Sequence, residues 1–392
     1  MKHKFVLAIV TLLGYSHLVS AQHFNINVSY VDVYEAGENQ IDTYRIPAVV
    51  QTNNGTILAF AEARNVSSSD TGNIDMVVKR STDGGKTWSE SILVWDNGDN
   101  VCGNPAPIVD RQTGRVILLM TWNKGSDHEP NIFNHTSEDT RRVFVTYSDD
   151  HGLTWSIPQD ITSSTKHNEW TWYATGPCHG IQLQTGKHKG RLIVSANHGY
   201  DLEGQCNGNS SHLLFSDDGG ATWTIGGGSQ NELYKGNEST VTELKNGDLM
   251  LNMRNAYTDS HASSGYARRV AISHDSGASF ANTDIYHDHM LIEPICQASI
   301  LNYMPKGKLT NTLLFSNPFS IHRRNMTIKK SSDSGKSWSV VFQDGHSHAA
   351  YSDMVNLTNG DVGLLYETGS EHAYDKIRFV IIPAKYIQEG KP

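Results

Sequence analysis

The sequence predicts an all-β protein, a six-bladed β-propeller, because one motif recurs at a regular interval among strand-like segments. An eight-residue pattern, Ser-x-Asp-x-Gly-x-(Thr/Ser)-(Trp/Phe), occurs five times. Its period of roughly 60 residues is the signature of a repeat architecture. At this period the segment 22–392 holds six repeats, five of them with the motif. The copies span residues 81–88, 148–155, 216–223, 273–280 and 331–338.

Each repeat reads as strands joined by tight turns. Runs of β-branched and aromatic residues lead into the motif, as at 143–147 and 270–272. Asn-Gly turn signals recur at 53–55 and 359–361, each followed by an apolar run. No long segment has helical apolar periodicity. Four strands in each of six repeats describe a six-bladed propeller, which protects its sheet edges by radial repetition.

The repeated motif itself predicts a turn and no chemistry. Its Ser and Asp side chains can bind nearby backbone N–H groups, its Gly suits positive φ, and its aromatic residue can pack on a sheet. We therefore interpret the five copies as folding elements.

The segment 1–21 predicts a secretory signal peptide. Lys2 and Lys4 precede an apolar segment over 5–13, and small residues at 19–21 suit cleavage after Ala21. The apolar stretch is shorter than the roughly 20 residues that cross a bilayer, and no later segment reaches that length. We expect one catalytic domain over 22–392, secreted and extracellular, or periplasmic in a bacterium, with no membrane span.

Composition excludes several function classes. The chain carries 32 Lys+Arg against 41 Asp+Glu, a net charge of −9, which argues against a nucleic-acid partner. The four cysteines form no CxxC pair, and the histidine pairs lack zinc-site spacing, so we expect no cofactor and no metal. Three full disulfide pairings are open in an exported chain, and we favour Cys178 with Cys206.

Several segments together resemble the exo-α-sialidases of glycoside hydrolase family 33. The motif copies resemble Asp-boxes, and Arg-Ile-Pro at 45–47 followed by Phe-Ala-Glu-Ala-Arg at 60–64 resembles that family's Arg-Ile-Pro segment. The resemblance covers essentially the whole chain after residue 21. It implies a propeller whose active site lies on the face away from the boxes.

The resemblance implies a clamp of three arginines for the carboxylate of sialic acid. Planar, always charged guanidinium groups suit a carboxylate better than lysine does. The first two members are Arg45 and Arg254. The third is Arg323, with Arg324 as the alternative.

The resemblance also implies a tyrosine nucleophile, Tyr351, with Glu238 as its base. A neutral hydroxyl avoids the repulsion that a carboxylate nucleophile meets beside the substrate's carboxylate, and sialidases are a known exception to the two-carboxylate rule. Because tyrosine has a pKa near 10, it needs a neighbouring base. Asp70, on a Ser- and Asn-rich loop, is the implied general acid.

Four further residues are implied as substrate contacts and one as a positioning group. Arg64 is expected at the sugar's 4-hydroxyl, and Glu367 is expected to orient Arg45. Asn104, Trp172 and Tyr173 are expected on the acyl and glycerol side of the pocket.

Eight Asn-x-Ser/Thr sequons occur, three of them beside implied site residues. We expect Asn65, Asn237 and Asn325 to carry no glycan, since a glycan there would obstruct the pocket.

The sequence thus predicts an exo-α-sialidase that hydrolyses terminal α-linked sialic acid from glycoproteins, gangliosides and oligosaccharides through a retaining, tyrosyl-linked mechanism. Transfer to a sugar, or within the substrate, is the enzymatic alternative. A sialoglycan-binding propeller without catalysis is the non-enzymatic alternative.

Overall fold

The computed structural model describes residues 28–202, 205–228, 236–255, 266–345 and 347–388. The predicted signal peptide lies outside these residues. Strands dominate, and the helices are a few residues each: α1 (Glu129–Phe133), α2 (Thr162–Thr165), α3 (Ala384–Gln388) and 3₁₀ turns at Glu38–Gln40 and Asn282–Asp284. Across the described ranges, no helix has the length and apolar character that crossing a membrane would require.

Twenty-five described strands form five sheets of mostly antiparallel neighbours. The eight-stranded sheet comprises β2 (Thr43–Gln51), β3 (Ile57–Arg64), β4 (Ile74–Ser81), β5 (Ile92–Trp95), β6 (Val101–Val109), β7 (Val116–Asn123), β8 (Arg142–Ser148) and β9 (Gln159–Asp160). The five-stranded sheet comprises β10 (Trp170–Thr175), β11 (Ile181–Gln182), β12 (Leu192–Leu202), β13 (Gln205–Ser216) and β14 (Thr224–Ile225). The first two four-stranded sheets are β15 (Ser239–Glu243), β16 (Leu249–Met253), β17 (Ala267–Ser273) with β18 (Ile285–Ile292), and β19 (Ser299–Asn302), β20 (Leu313–Pro318), β21 (Met326–Ser331) with β22 (Ser339–Gln343). The last is β1 (Ser29–Glu35) with β23 (His348–Asn356), β24 (Val362–Gly369) and β25 (Lys376–Ile382).

The fold is an all-β propeller, as the repeats predict, but its sheets are five and not six separate blades. The difference lies in the eight-stranded sheet, where the meanders β2–β5 and β6–β9 are joined by one parallel pair, Ile74 with Val101. Hydrogen bonding across that pair merges what the repeat period counts as two units.

The motif-free repeat has a topological cause. In the other repeats the motif lies in the turn between the third and fourth strands, as between β4 and β5. In the sheet of β23, β24 and β25 the fourth strand is β1, which comes from the beginning of the described chain and pairs antiparallel with β25. Since the third and fourth strands of this sheet come from opposite ends of the described chain, they leave no position for a sixth copy.

All five motif copies share one hydrogen-bond pattern. In the copy at 81–88, the Ser81 hydroxyl donates to Asp83 at 2.9 Å, the Gly85 N–H donates to Ser81 at 2.8 Å, and the Thr87 hydroxyl donates to Asp83 at 2.7 Å. The same three bonds recur in each of the other copies. The prediction that the motif is a folding element is confirmed.

The motif glycines also explain how neighbouring sheets pack. Gly220 has a φ of +91°, and a Cβ there would lie 2.6 Å from Ile117 on β7 of the preceding meander. Gly85 likewise would meet Phe379 on β25, at 2.3 Å, with a φ of +89°. Both the backbone conformation and the close approach therefore require glycine.

A buried carboxylate ties the inner strands together at the propeller axis. Asp353 on β23 accepts hydrogen bonds from the backbone N–H groups of Val49 and His179, both at 2.9 Å. Its other oxygen accepts from His179 Nδ1 at 2.7 Å, the Ser299 hydroxyl at 2.8 Å and the Met354 N–H at 2.9 Å. Five donors offset the cost of burying this charge.

The favoured disulfide between Cys178 and Cys206 is wrong. Cys178 is a free, buried thiol, and its sulfur donates weakly to the Ser239 carbonyl at 3.5 Å. Burial raises the pKa of this thiol far above its usual range, so it stays protonated and inert.

We predict that Asp353→Asn lowers the free energy of unfolding by about 3 kcal/mol. Either amide orientation places an NH₂ group against at least two N–H or O–H donors, because both carboxylate oxygens accept. Urea unfolding monitored by tryptophan fluorescence measures the loss. Asp99→Asn, at an exposed aspartate, is the matched control and should change stability little; equal stability of the two variants would contradict the role of Asp353.

Candidate active site

Backbone irregularities at the same end of three inner strands position the predicted site residues. The register shifts at 45–48 in β2, 103–106 in β6 and 349–352 in β23. Ile46 and Asn104 there have positive φ values of 59° and 55°. Such bulges re-aim side chains, and the strain they carry, of order 1–3 kcal/mol for each residue, is typical of functional sites. The three bulges direct residues of β2, β6 and β23 toward one cavity, which Ile46, Asn104 and Tyr351 line.

Tyr351, Glu238 and Arg254 form a buried cluster at this cavity. The Tyr351 hydroxyl donates to Glu238 Oε1 at 2.5 Å, and Arg254 Nη1 donates to Glu238 Oε2 at 2.5 Å and to the Tyr351 oxygen at 3.1 Å. Glu238 directly precedes β15 and Arg254 directly follows β16, and their backbones pair. Burial, then the Glu238 charge, raises the pKa of Tyr351 well above 10, and nearby arginines oppose that shift. The hydroxyl is therefore neutral, with a carboxylate ready to take its proton.

Glu367 holds Arg45, as the resemblance implies. Its two oxygens accept from Arg45 Nε at 3.1 Å and from Nη2 at 3.3 Å. The same carboxylate accepts from the backbone N–H of Ile46 at 2.9 Å and of Tyr351 at 3.1 Å. This fully buried group thus fixes both the guanidinium and the two strand bulges beside it.

The structure distinguishes the two candidates for the third arginine by position. The Arg323 guanidinium lies 5.6 Å from the Tyr351 ring centre, and Arg45 lies 5.2 Å from it. Arg324 instead faces His348 at an exposed position, with Nη2 3.3 Å from that ring. Arg323, not Arg324, shares the cluster with Arg45 and Tyr351.

Tyr374 is a site residue that the sequence analysis missed. Its hydroxyl accepts from Arg323 Nη1 at 2.7 Å, and its ring lies 3.9 Å below the Arg45 guanidinium. It orders two arginines at once by hydrogen bonding and cation–π contact. No motif marks it, because it lies in the loop between β24 and β25.

Asp70 lies at the cavity's rim, bound by two arginines. Its carboxylate is 2.7 Å from Arg64 Nη1 and 3.6 Å from Arg45 Nη1, while its side chain remains 76% exposed. Arg64 is oriented in turn by Glu62, which accepts from Nη2 at 2.7 Å. Partial desolvation raises the pKa of Asp70, but the charges of Arg64 and Arg45 outweigh it and hold the pKa below 3.8.

Asn104 and Trp172 line the far side of the cavity, together with two residues that the sequence analysis missed. Buried Arg141 donates from Nη2 to the Asn104 side chain, and its guanidinium lies 4.0 Å from the Trp172 ring. Burial lowers the pKa of Arg141 to about 10, so it remains a cation at neutral pH. Glu129, on α1, faces it, and burial raises the pKa of that carboxyl.

Charge balance explains why several arginines can share this small volume. Glu238, Glu367 and Glu62 each bind an arginine through a direct ion pair between buried side chains. Asp70 differs from these three carboxylates, because it lies on a loop, its side chain is exposed, and it contacts two arginines at once. Of the four carboxylates, Asp70 is therefore the one whose protonation would change most if another anion bound the same arginines.

Tyr173 does not reach the cavity, which contradicts its predicted role in substrate contact. The side chain is fully buried in the sheet core, where its hydroxyl donates to the Thr165 carbonyl at 3.0 Å and contacts His212 Nε2 at 2.9 Å. Neighbouring residues of a strand point to opposite faces, so Trp172 and Tyr173 cannot both line one cavity. Trp172 takes the cavity face.

The cavity encloses about 100 Å³ and combines residues from several sheets. Its polar lining includes Glu62, Arg64, Asp70, Asn104, Glu129, Arg141, Asn237, Glu238, Arg254 and Tyr351. Within the described ranges, no group of three or more His, Cys, Asp or Glu side chains is placed to hold a metal ion. The chemistry available to these residues is recognition of an anion and transfer of protons.

Comparisons with known proteins identify the family of this chain. The family described as a BNR repeat-like domain matches residues 55–364. An exo-alpha-sialidase of Arthroderma benhamiae is 30% identical over 352 residues, which cover 83% of this chain and 78% of that protein. The chain belongs to the sialidase family.

Two further sialidases show the extent of the likeness. The sialidase of Bacteroides fragilis is 31% identical over 365 residues, or 87% of this chain. The solved structure of "Hadza microbial sialidase Hz136" is 30% identical, with a TM-score of 0.76 over 91% of this chain and 69% of that one. The chain spans only 63% of the length of the Bacteroides fragilis sialidase.

We predict that Arg64→Met raises the pKa of Asp70. The substitution removes the largest charge that lowers this pKa and leaves the desolvation that raises it. A carbon-13 NMR titration of aspartate-labelled protein, with the Asp70 signal assigned by Asp70→Asn, measures the midpoint.

Arg115→Met is the matched control, because it breaks the exposed Arg115–Asp149 pair far from the cavity. It should leave the Asp70 midpoint where it is in the parent protein. An unchanged Asp70 midpoint in Arg64→Met would contradict the assigned electrostatics.

Proposed function

We propose that this sialidase-family chain is an exo-α-sialidase that cleaves terminal α-linked sialic acid with retention of configuration. The observation that carries the proposal is the 2.5 Å hydrogen bond from Tyr351 to Glu238, with Arg45, Arg254 and Arg323 around the tyrosine. A neutral nucleophile, its base and three cations are what a substrate with a carboxylate on its anomeric carbon requires.

The three arginines bind the substrate carboxylate in this proposal. Glu367 and Tyr374 already hold Arg45 and Arg323 in place, so little side-chain entropy is lost when the substrate arrives. Guanidinium groups are charged at any relevant pH and offer paired donors, which favours a planar carboxylate over a neutral sugar substituent.

Tyr351 is the nucleophile and Glu238 is its base. The phenolic oxygen attacks the anomeric carbon as its proton passes to Glu238, and the glycosidic C–O bond breaks. The sialyl–tyrosine bond then breaks when water attacks the same carbon and the proton returns from Glu238 to the phenolate. Arg254, which contacts both residues, stabilises the negative charge that moves between them.

Asp70 protonates the leaving oxygen and later takes a proton from the attacking water. Arg64 and Arg45 hold the pKa of Asp70 below its usual range. When the substrate carboxylate neutralises Arg45, part of that influence is lost, so the pKa of Asp70 rises once substrate is bound. The proton then becomes available in the complex that needs it.

The finer features of the fold and setting belong to the same proposal. Counting β2–β5 and β6–β9 as separate blades makes the propeller six-bladed, with one catalytic domain over residues 22–392. The predicted signal peptide supports secretion. The partners are sialylated glycans on glycoproteins, gangliosides and oligosaccharides, and Asn65, Asn237 and Asn325 carry no glycan; Asn237 and Asn325 are buried.

We predict that Tyr351→Phe and Asp70→Ala differ in their dependence on the leaving group. Tyr351→Phe should lose about 10³-fold or more in kcat on both an aryl α-sialoside and sialyllactose. Asp70→Ala should lose roughly 10²- to 10⁴-fold in kcat/KM on sialyllactose and much less in kcat/KM on the aryl sialoside, since a phenol leaves without protonation and kcat/KM does not include the later attack of water. Fluorescent aglycone release and sialic acid release measure the two reactions.

Tyr30→Phe, at an exposed tyrosine, is the matched control and should retain parent activity. Proton NMR of the first product should show the α-anomer. If the main product is a sialylated acceptor or an anhydro sugar, the reaction is transfer and not hydrolysis. If the folded parent protein binds sialyllactose but releases no sialic acid, the chain is a sialoglycan-binding propeller and not an enzyme.

A further inference from the structure

A second and larger cavity lies on the propeller axis, at the opposite ends of the inner strands. It encloses about 610 Å³, within the range of small-molecule sites. Its walls come from the last residues of the inner strands, such as Val49 on β2, Ile108 on β6, Leu301 on β19 and Met354 on β23. Among the described residues, none lines both this cavity and that of Tyr351 and Glu238.

The imidazole of His179, which Asp353 binds, has one polar atom without a hydrogen-bond partner among the described residues. His179 lines the larger cavity and is 7% exposed. Its Nδ1 lies 2.7 Å from Asp353, which as a carboxylate only accepts, so Nδ1 carries the proton. Its Nε2 is buried and has no hydrogen-bond partner in the part of the chain that the structure describes. A buried ring nitrogen without a partner is costly unless a ligand or water supplies a donor.

The opening of this cavity is positively charged, although the whole chain carries −9. Arg111, Lys189 and Lys306 line it from three different loops, and all three are exposed. Glu243 is the single acidic residue of the described lining, and it already accepts from the Thr185 hydroxyl at 2.5 Å and from the Gln184 N–H at 2.7 Å. The cations at the opening therefore outnumber the carboxylates of the described lining by three to one.

The walls below this opening are mostly apolar. Leu183, Leu301, Leu309, Met354 and Val355 supply much of the lining. An apolar chamber beneath a cationic opening matches a molecule with an apolar body and an anionic group, since burial and charge attraction then act together.

We propose that this axial cavity is a second ligand site, which binds a small organic anion with an apolar body. The anionic group lies at Arg111, Lys189 and Lys306, the body packs on the aliphatic walls, and a hydroxyl or N–H of the ligand donates to His179 Nε2. The site is separate from the catalytic cavity, so substitutions of its lining residues should leave sialoside cleavage unchanged.

Two dyes that differ in charge test this proposal. Anilinonaphthalene sulfonate is an apolar anion with an N–H group, and N-phenylnaphthylamine is its neutral counterpart. We expect saturable fluorescence enhancement of both by the folded parent chain, with one site. Arg111→Glu combined with Lys306→Glu should weaken binding of the sulfonate at least tenfold and leave the neutral dye within twofold.

Lys86→Glu combined with Lys336→Glu changes the net charge equally, at exposed lysines of two motif turns, and is the matched control. It should leave both dyes within twofold. Leu309→Trp, which fills the partly buried wall near the opening, should abolish binding of both dyes, while aryl sialoside cleavage persists. Proton–nitrogen NMR should show the His179 Nε2 resonance shifting on titration with the sulfonate.

Three results would overturn the proposal. The first is no saturable enhancement with either dye, which would make the cavity a water-filled channel. The second is that the control pair of substitutions weakens binding of the sulfonate as much as the pair at Arg111 and Lys306 does. The effect would then reflect the net charge of the protein and not a local contact. The third is displacement of the dye by a competitive sialoside, or its persistence in Leu309→Trp, which would place the dye elsewhere.

Discussion

The buried carboxylate of Asp353 is the constraint on which the rest of the molecule depends. One side chain on β23 accepts five hydrogen bonds, from β2, the segment at His179, β19 and its own neighbour. A charge buried at the axis of a propeller is tolerated only if every lone-pair direction is used. Satisfying those directions fixes the mutual positions of the inner strands, whose ends form both cavities.

The candidate active site also depends on one buried carboxylate that binds several donors. Glu367 binds the Arg45 guanidinium and also the backbone of Ile46 and Tyr351, so one carboxylate fixes both the arginine and the tyrosine. Tyr374 then joins Arg45 to Arg323. Neighbouring side chains thus hold Arg45, Arg323 and Tyr351 in place, and groups fixed in this way need little reorganisation to stabilise a charge.

Sequence reasoning was most successful where the signal is local or repeated. The strands, the tight turns and the five motif copies follow from short patterns whose physics is complete within a few residues. The resemblance likewise supplied Arg45, Arg254, Tyr351 and Glu238, which the structure brings together. Tyr374, Arg141 and Glu129 went unnoticed, because Tyr374 and Arg141 lie in loops, Glu129 lies on α1, and none of these segments carries a motif.

By itself, the sequence determined the all-β propeller class, its repeat length and the resemblance to the sialidase family. Only the tertiary structure decided which face each side chain takes: Trp172 inward and Tyr173 into the core, Arg323 toward Tyr351 and Arg324 toward His348. It also decided that β1 completes the last sheet, that one parallel pair merges two meanders, and that Cys178 stays a free thiol. These outcomes depend on register, bulges and contacts between residues far apart in the chain, which a local pattern does not encode.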